Sequence, residues 1–295
     1  MKKIICGIKE EKEIKLLQEA GCNIILLADD QHATRFPAYF NREQLTKCIE
    51  ECHALGLEVM IGVNRIYQDE EIASLDAYMS YLKSMNVDYY YFNDPGVYML
   101  AKKIGVQDRL VYNPDTLCTN SYDINVWLKQ GIYGCVIAKE LTLAQMMEIA
   151  AKTTHSMVML HGYLNMSYSK RRLLQNYMDE IESDLDLDGR FDLKLQEATR
   201  EDLMPVYQDK QGTCIYTPYI QTSFEEFLAL GQSGIEYFII ERMFVPFALV
   251  YDAIKTYRMI EQGGDARQLN QEYASKYQDY PLSTGYMYQK TSMVK

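Results

Sequence analysis

Ionisable and amide side chains recur directly after short apolar runs along this chain. These residues are Asp29, Asp30, Asn64, Arg65, Asn93, Asp94, Asn113, Asp115, Lys139, Glu140, His161, Glu241 and Arg242. Carboxyl groups and imidazoles of this kind transfer protons, and guanidinium and ammonium groups bind anions. If the fold gathers these side chains at one place, they predict a catalytic or anion-binding site.

Two glutamates and one histidine are the candidate catalytic residues. Glu140 and Glu241 could exchange protons with a substrate if burial or a neighbouring charge raises the pKa of one of them. His161 could act as a base, as an acid or as a hydrogen-bond donor to a bound anion. A simpler explanation stays open for each of them, because polar residues often follow strands and solvated turns favour them.

The candidate substrate-binding residues come from the same set. Arg65 and Arg242 could clamp a carboxylate or a phosphate through two hydrogen bonds. Glu241 and Arg242 could instead form a structural ion pair with each other. The other candidates for substrate binding in this set are Asn64, Asp94, Asn113 and Lys139.

Eight short apolar runs alternate with segments whose apolar residues recur every three or four positions. The runs cover residues 4–8, 24–28, 59–63, 89–92, 110–112, 135–138, 157–160 and 237–240. Nearly continuous apolar strands separated by helices are typical of a parallel sheet that helices cover. Eight such units predict an α/β fold of the TIM type, a (β/α)8 barrel, whose chemistry lies at the carboxyl ends of the strands. A doubly wound open sheet is the alternative.

One long interval interrupts this alternation, and a different composition follows the last unit. We expect the barrel domain to cover residues 1–262 and to carry an insertion after strand seven, at about 163–234, with a helix at 171–181 and an extra strand at 214–216. Residues 263–295 are polar and rich in tyrosine. This C-terminal tail could pack on the barrel or mediate association.

Composition excludes several classes of protein. The 295 residues are 48% hydrophobic, and their formal net charge is −11. This negative charge is atypical of a chain that binds nucleic acid by itself. Apolar runs of about 20 residues, as a membrane span needs, are absent, and the seven scattered cysteines suit reduced thiols, so we expect a cytoplasmic protein. Cys48 and Cys52 fit a helix core better than a metal site, and the acidic stretch 184–189 lacks the final glutamate of a calcium loop.

The segment 161–172 resembles the signature of peptidase family U32. It reads HGYLNMSYSKRR, and segments 138–143 (AKELTL), 211–215 (QGTCI) and 234–243 (GIEYFIIERM) are similar to further motifs of the family. The likeness extends from about the first strand to Gln262. It implies a TIM-like barrel and brings Tyr168 of the signature into the substrate-binding set.

The chain departs from the family where some members hold an iron–sulfur cluster. In members that hydroxylate without oxygen, four cysteines in and after the signature ligate that cluster. This chain has Arg172, Phe191 and Leu195 at such positions. Because thiolates are the ligands of iron–sulfur clusters, we expect no cofactor in this chain.

The resemblance implies a role in the hydroxylation of RNA or a quinone. Family members resemble subunits of hydroxylation systems for tRNA, ribosomal RNA or ubiquinone, and this chain is similar to the cysteine-poor member of a pair that makes 5-hydroxyuridine at the tRNA wobble position from prephenate. It would then work with a cysteine-bearing U32 paralogue, meet tRNA through the complex and bind a small anionic metabolite. Residues 170–172 could contact RNA or simply begin a solvated helix.

Two alternatives stay open. The first is a collagenase-like peptidase, the activity for which the family was named, although the sequence has no zinc motif and no evident nucleophile–base pair. The second is a scaffold subunit without chemistry of its own.

Overall fold

A closed barrel of eight parallel strands forms the centre of the protein. The computed structural model describes residues 2–199 and 201–289. Its strands are β1 (Lys3–Gly7), β2 (Ile24–Ala28), β3 (Glu58–Val63), β4 (Tyr89–Phe92), β5 (Leu110–Tyr112), β6 (Gly134–Val136), β7 (Ser156–Ser169), β8 (Lys194–Gln196), β9 (Leu203–Asp209), β10 (Gly212–Gln221), β11 (Tyr237–Ile240) and β12 (Leu282–Ser283). Strands β1 to β7 pair in chain order, and β11 pairs with both β7 and β1. This closure confirms the TIM-type barrel and excludes an open doubly wound sheet.

Helices follow the barrel strands and cover the barrel from outside. They are α1 (Glu13–Ala20), α2 (Arg42–Ala54), α3 (Ile72–Ser84), α4 (Pro95–Ile104), α5 (Ser121–Lys129), α6 (Leu143–Ala150), α7 (Leu173–Glu180), α8 (Phe227–Gln232), α9 (Phe247–Glu261) and α10 (Ala266–Lys276). In α3, Leu75, Met79 and Leu82 are buried at the spacing of one helix face. Asn41 begins α2 with a capping box, since its side chain accepts a hydrogen bond from the backbone N–H of Gln44.

Alternation along the strands divides the core into two layers. Inward-facing side chains such as Ile5, Met60 and Val111 fill the barrel, and their neighbours face the helices. Tyr89 and Tyr237, the first residues of β4 and β11, lie against each other with ring centroids 6.4 Å apart. The aromatic rings therefore fill the amino-terminal end of the barrel, which leaves the carboxyl end as the open one.

The insertion is a continuation of β7 rather than a separate lobe. β7 runs past the barrel wall, and its outer half pairs antiparallel with β10, which in turn pairs with β9. The helix expected at 171–181 is α7, and the strand expected at 214–216 is the middle of the longer β10. Strands β8 and β9 are elements that the sequence patterns do not indicate.

The described part of the C-terminal segment packs on the barrel. Tyr273 of α10 is buried, and β12 pairs with β10. Residues 290–295 of the predicted tail lie outside the described residues. None of the described helices combines the length and the apolar character that crossing a membrane requires.

A bulge interrupts the seam between β7 and β11. Ile239 pairs with Met159 and Ile240 pairs with His161, so Leu160 is an extra residue in β7. Beyond it, Gly162 adopts φ +117°, and a Cβ at this position would lie 2.6 Å from Cβ of Glu241 and 2.7 Å from its carbonyl oxygen. Only glycine fits here, because both the dihedral angle and the close approach exclude a side chain.

Replacing Gly162 by alanine tests this close approach. We expect Gly162→Ala to lower the free energy of unfolding by about 2–4 kcal/mol, since it combines backbone strain with a clash against main-chain atoms. Gly56→Ala is the matched control, because Gly56 has φ +72° but nothing within 4 Å of the place that a methyl group would occupy, and it should cost about 1–2 kcal/mol. Urea unfolding measures both, and equal losses would contradict the packing argument.

Candidate functional site

The carboxyl ends of the barrel strands surround a small cavity. Its volume is about 50 Å³, room for a few water molecules or one small polar group at roughly 10–15 Å³ per water. The polar and charged side chains that line it are Arg35, Asn64, Tyr91, Asn113, Asp115, Lys139, Asn165, Tyr216 and Glu241. Apolar residues such as Met159 and Ile239 form its floor.

Two cations share one carboxylate in this cavity. Asp115 lies 2.8 Å from a guanidinium nitrogen of Arg35 and 3.3 Å from Nζ of Lys139. The side chains of Arg35 and Lys139 are only 7% and 8% exposed. Burial lowers the pKa of Lys139, against the opposite effect of Asp115. Because two buried cations meet a single partner, this part of the cavity can accept a further negative charge.

The backbone around this ion pair is unusual. Arg35 and Asp115 have φ +65° and +64°, in the left-handed region that non-glycine residues seldom adopt. Strain of this kind concentrates at functional sites, where the surrounding structure offsets it. The guanidinium of Arg35 also lies 4.8 Å from the ring centre of Tyr168, which supports it from one side.

Glu241 faces the two cations across the cavity. Its Oε1 accepts hydrogen bonds from the backbone N–H groups of Arg242 at 2.8 Å and Met243 at 2.9 Å. Burial raises its pKa above the usual value, and these bonds and the charges of Lys139 and Arg35 only partly oppose that effect. A carboxyl group with a raised pKa in a cavity is suited to hold or release a proton.

The amide side chains of the cavity hold its loops in place. Asn64 accepts from the backbone N–H of Thr34 at 3.0 Å and donates to the Thr34 carbonyl at 3.1 Å. These bonds fix the loop that carries Arg35. Asn113 donates to the hydroxyl of Tyr91 on the neighbouring strand. Both amides therefore act on the geometry of the cavity as well as on its polarity.

Four of the predicted site residues meet in this cavity: Asn64, Asn113, Lys139 and Glu241. The other six predicted residues lie elsewhere, so the expectation of one shared mouth for the whole set needs correction.

His161 lies outside the barrel wall. Strict alternation from Met157 and Met159 would turn it inward, but the bulge at Leu160 reverses its direction. It is fully buried between the barrel and α10, where Nε2 lies 3.1 Å from the hydroxyl of Tyr273. Burial lowers its pKa to about 3. In this position the neutral imidazole helps to attach α10 to the barrel.

The two predicted arginine clamps are already paired. Arg242 is buried and contacts Glu13 of α1 at 3.1 Å, so the alternative of a structural ion pair holds, but with Glu13 rather than with Glu241. Arg65 pairs with Glu71 and donates to the carbonyl of Gln31. Both side chains bind the protein's own carboxylates.

The last three predicted residues have local structural contacts. Asp94 accepts from the backbone N–H groups of Gly96 at 2.7 Å and Tyr67 at 2.9 Å, and it caps α4. Tyr168 donates to the carbonyl of Gln211 at 2.8 Å and supports Arg35. Glu140 is exposed and outside the cavity lining, in the turn that follows β6.

Five polar residues of the cavity were not among the predicted catalytic or substrate-binding residues, and only one of the five, Asp115, belongs to the wider set of residues that follow apolar runs. Arg35 lies in the middle of the loop after β2, and Tyr91 is an inward residue of β4. Asn165 and Tyr216 come from the antiparallel pair of β7 and β10, which extends over the barrel mouth. A search limited to the residues that follow the apolar runs does not find these last four residues. The usable signals were a polar residue at an inward position of β4 and the expected emergence of the insertion at the carboxyl face.

The positions that correspond to cluster-ligating cysteines of other family members carry side chains that make different contacts. Arg172 pairs with Asp188 at 2.5 Å, and Phe191 packs on Tyr207 with ring centroids 4.8 Å apart. Leu195 is exposed on β8. All seven cysteines are buried elsewhere, and within residues 2–199 and 201–289 no three His, Cys, Asp or Glu side chains converge as metal ligands. The donor groups at these positions therefore do not fit an iron–sulfur cluster.

Comparison with protein families and curated proteins gives consistent matches. The model of peptidase family U32 matches residues 9–294. A Bacillus subtilis protein named tRNA hydroxylation protein P2 is 29% identical over 253 residues, covering 83% of this chain and 81% of that protein. An Escherichia coli protein named tRNA hydroxylation protein P is 24% identical over 207 residues, covering 68% of this chain and 44% of that protein. The matched region is thus less than half of the Escherichia coli relative.

Solved structures share the fold at low sequence identity. A U32 peptidase superposes with a TM-score of 0.52 and 12% identity, covering 81% of this chain and 92% of that one. Dihydrodipicolinate synthase superposes with a TM-score of 0.50 and 12% identity, covering 99% and 85%. These likenesses support the barrel architecture alone.

The buried position of His161 predicts a pH dependence of stability. Its pKa is about 3 in the folded protein against a reference of 6.5, so the unfolded chain binds a proton first as the pH falls, and stability is lost from about pH 6.5 downwards. Between pH 7 and pH 5 we expect the wild-type free energy of unfolding to fall by about 2 kcal/mol more than that of His161→Gln. Urea unfolding at both pH values measures this, with His155→Gln, at a half-exposed histidine, as control. Equal losses would contradict the assignment.

Proposed function

The chain is a member of peptidase family U32, and we propose that it works as a subunit of a tRNA hydroxylation system. The names of its curated relatives support the class of reaction. The observation that carries the proposal is the charged cavity at the barrel mouth, where Arg35, Lys139, Asp115 and Glu241 meet. A scaffold subunit has no need of a strained, buried cluster of charges, since such a cluster costs free energy of folding.

In this proposal the cavity binds the acidic end of a small metabolite. Arg35 and Lys139 bind its carboxylate, and Asp115 keeps both cations oriented between turnovers. Glu241, with its raised pKa, holds or releases a proton beside the bound molecule. Prephenate, as the hydroxyl source for 5-hydroxyuridine at the wobble position, is the candidate anion. Asn64 and Asn113 keep the loops in register around it.

The partner in this proposal is chosen because this chain lacks the thiolate side chains that ligate a cluster. Arg172, Phe191 and Leu195 offer no thiolate, so we propose that a cysteine-bearing U32 paralogue carries the cluster. The net charge of −11 is unfavourable for direct tRNA binding, so tRNA is bound through the complex. Exposed cations at the start of the insertion, such as Lys170 and Arg171, are the local contacts on this chain. Cytoplasm, where tRNA is modified, is the expected compartment.

The peptidase alternative has little support from the cavity. Among the cavity-lining residues in the described parts of the chain, none is Ser, Thr, Cys or His, the groups that act as nucleophile or base in covalent proteolysis. Peptidase activity and a purely structural role therefore predict results that differ from those of a tRNA hydroxylation subunit.

Nucleoside mass spectrometry of tRNA tests the proposed function. A deletion strain should lose 5-hydroxyuridine, and the wild-type gene should restore it. We expect Lys139→Met and Glu241→Gln to restore less than about a tenth of it, because removing one anion-binding or proton-transfer group typically costs 10²–10⁴-fold in rate. Glu140→Gln is the matched control, since Glu140 adjoins Lys139 but is exposed outside the cavity lining.

Three results would separate the alternatives. Unchanged 5-hydroxyuridine in the deletion strain would refute the tRNA function. Full restoration by all three variants would indicate a scaffold. Hydrolysis of gelatin that depends on Glu241 would indicate the peptidase.

Iron analysis tests the division of labour between the two proteins. Purified without oxygen, this chain should contain iron and acid-labile sulfide at background level, because arginine, phenylalanine and leucine cannot ligate iron. The cysteine-bearing paralogue, purified in the same way, is the positive control. Stoichiometric iron and sulfide in the separated chain would overturn the proposal that the cluster belongs to the partner.

A further inference from the structure

A second group of reactive side chains lies away from the barrel cavity. Asp29 and His32 are in the loop after β2, and Ser74 is in the first turn of α3. The Nδ1 atom of His32 lies 2.8 Å from Oδ2 of Asp29, and its Nε2 atom lies 3.3 Å from Oγ of Ser74. The three residues thus form a continuous Asp–His–Ser chain of hydrogen bonds.

The imidazole of His32 is held in one orientation. Asp29 accepts both the backbone N–H of His32 and its ring N–H, each at 2.8 Å. The ring stacks on Tyr78 with centroids 4.0 Å apart and planes 7° apart, and the residue as a whole is 5% exposed. The hydroxyl of Tyr67 donates to the carbonyl of His32 at 2.7 Å. Side chain and backbone are therefore both fixed before any ligand arrives.

This arrangement determines the tautomer. An ionised carboxylate can only accept hydrogen bonds, so Nδ1 of His32 carries the proton. In the neutral imidazole, Nε2 then accepts a hydrogen bond that the hydroxyl of Ser74 donates. This is the polarity that a general base needs to activate a serine, and hydrogen bonds of this kind are often long before a substrate binds.

Ser74 is accessible, in contrast to His32. It is exposed and lines two open clefts that meet at this point. Arg42 lies in one cleft, where its guanidinium is 4.1 Å from the ring centre of Tyr81, and Arg65 lies in the other. A substrate can reach the serine from solvent, and the positive charge of Arg42 is available on one side, whereas Arg65 is paired with Glu71.

We propose that Asp29, His32 and Ser74 form a hydrolytic site for small carboxylic esters, separate from the tRNA function. Oγ of Ser74 attacks the ester carbonyl carbon as its proton passes to Nε2 of His32. The C–O bond to the alcohol then breaks, and the alcohol leaves with that proton. Water next attacks the acyl-serine, gives a proton to His32 and releases the acid, while the serine oxygen regains a proton. Asp29 is a positioning residue, and Arg42, which lines the same cleft as Ser74, supplies positive charge for the oxyanion.

A competing explanation is purely structural. Asp29 and His32 could serve only to fold the loop, with Ser74 as an incidental neighbour. That explanation predicts an inert serine, whereas an activated serine reacts with an electrophile that ordinary serines ignore. The two can be distinguished without knowledge of the natural substrate.

Labelling with a fluorophosphonate probe tests the proposal on the whole chain. The serine oxygen should form a bond to phosphorus, with loss of fluoride and transfer of the hydroxyl proton to His32. We expect mass spectrometry to find the adduct on Ser74 and hydrolysis of p-nitrophenyl acetate above background. Ser74→Ala should abolish both. Ser80→Ala, at another exposed serine of α3, is the matched control and should change neither.

Two variants test the roles of the other residues. His32→Gln should remove the adduct, and Asp29→Asn should lower kcat on the order of 10²-fold or more at similar KM, because the imidazole loses its fixed tautomer. Circular dichroism checks that both fold. Absence of an adduct on Ser74, or an adduct or hydrolysis that persists in Ser74→Ala, would overturn the proposal. Ser74→Ala should leave tRNA 5-hydroxyuridine unchanged, so failure of this site and failure of the tRNA function are distinguishable.

Discussion

The seam between β7 and β11 is the constraint on which the rest of the structure depends. Parallel pairing closes the barrel up to Met159, where the extra residue Leu160 shifts the register. Gly162 then passes so close to Glu241 that no side chain fits between them. This approach positions Glu241 at the cavity and lets β7 leave the barrel wall as the partner of β10. A change of one residue in register thus determines the direction of His161 and the start of the insertion.

The charges at the barrel mouth come from separate parts of the chain. Arg35 belongs to the loop after β2, Asp115 to the loop after β5 and Lys139 to the segment after β6. Burying these groups costs solvation free energy, and the left-handed backbone at Arg35 and Asp115 adds strain. The ion pairs offset part of this cost and hold the cations ready for an anion. An arrangement of this kind favours binding over stability.

One loop contributes to both proposed sites. The segment between β2 and α2 turns Arg35 into the barrel cavity and His32 into the outer clefts. Between them, Asn64 holds Thr34 through two hydrogen bonds, so the two side chains are fixed to a common support. Neither proposed site needs an iron–sulfur cluster on this chain.

Sequence by itself determined the architecture and part of the cavity, because both follow from local periodicity. Eight apolar runs predicted eight parallel strands, and Asn64, Lys139 and Glu241, which follow three of these runs, line the cavity at the carboxyl face. Only the tertiary structure decided the rest. The bulge that turns His161 outward has no local signal. Arg242 pairs with Glu13, which begins the helix after the neighbouring strand β1, and the position of Arg35 depends on the path of a loop. His32 and Ser74 are 42 residues apart, and their contact exists only because the loop after β2 packs against α3.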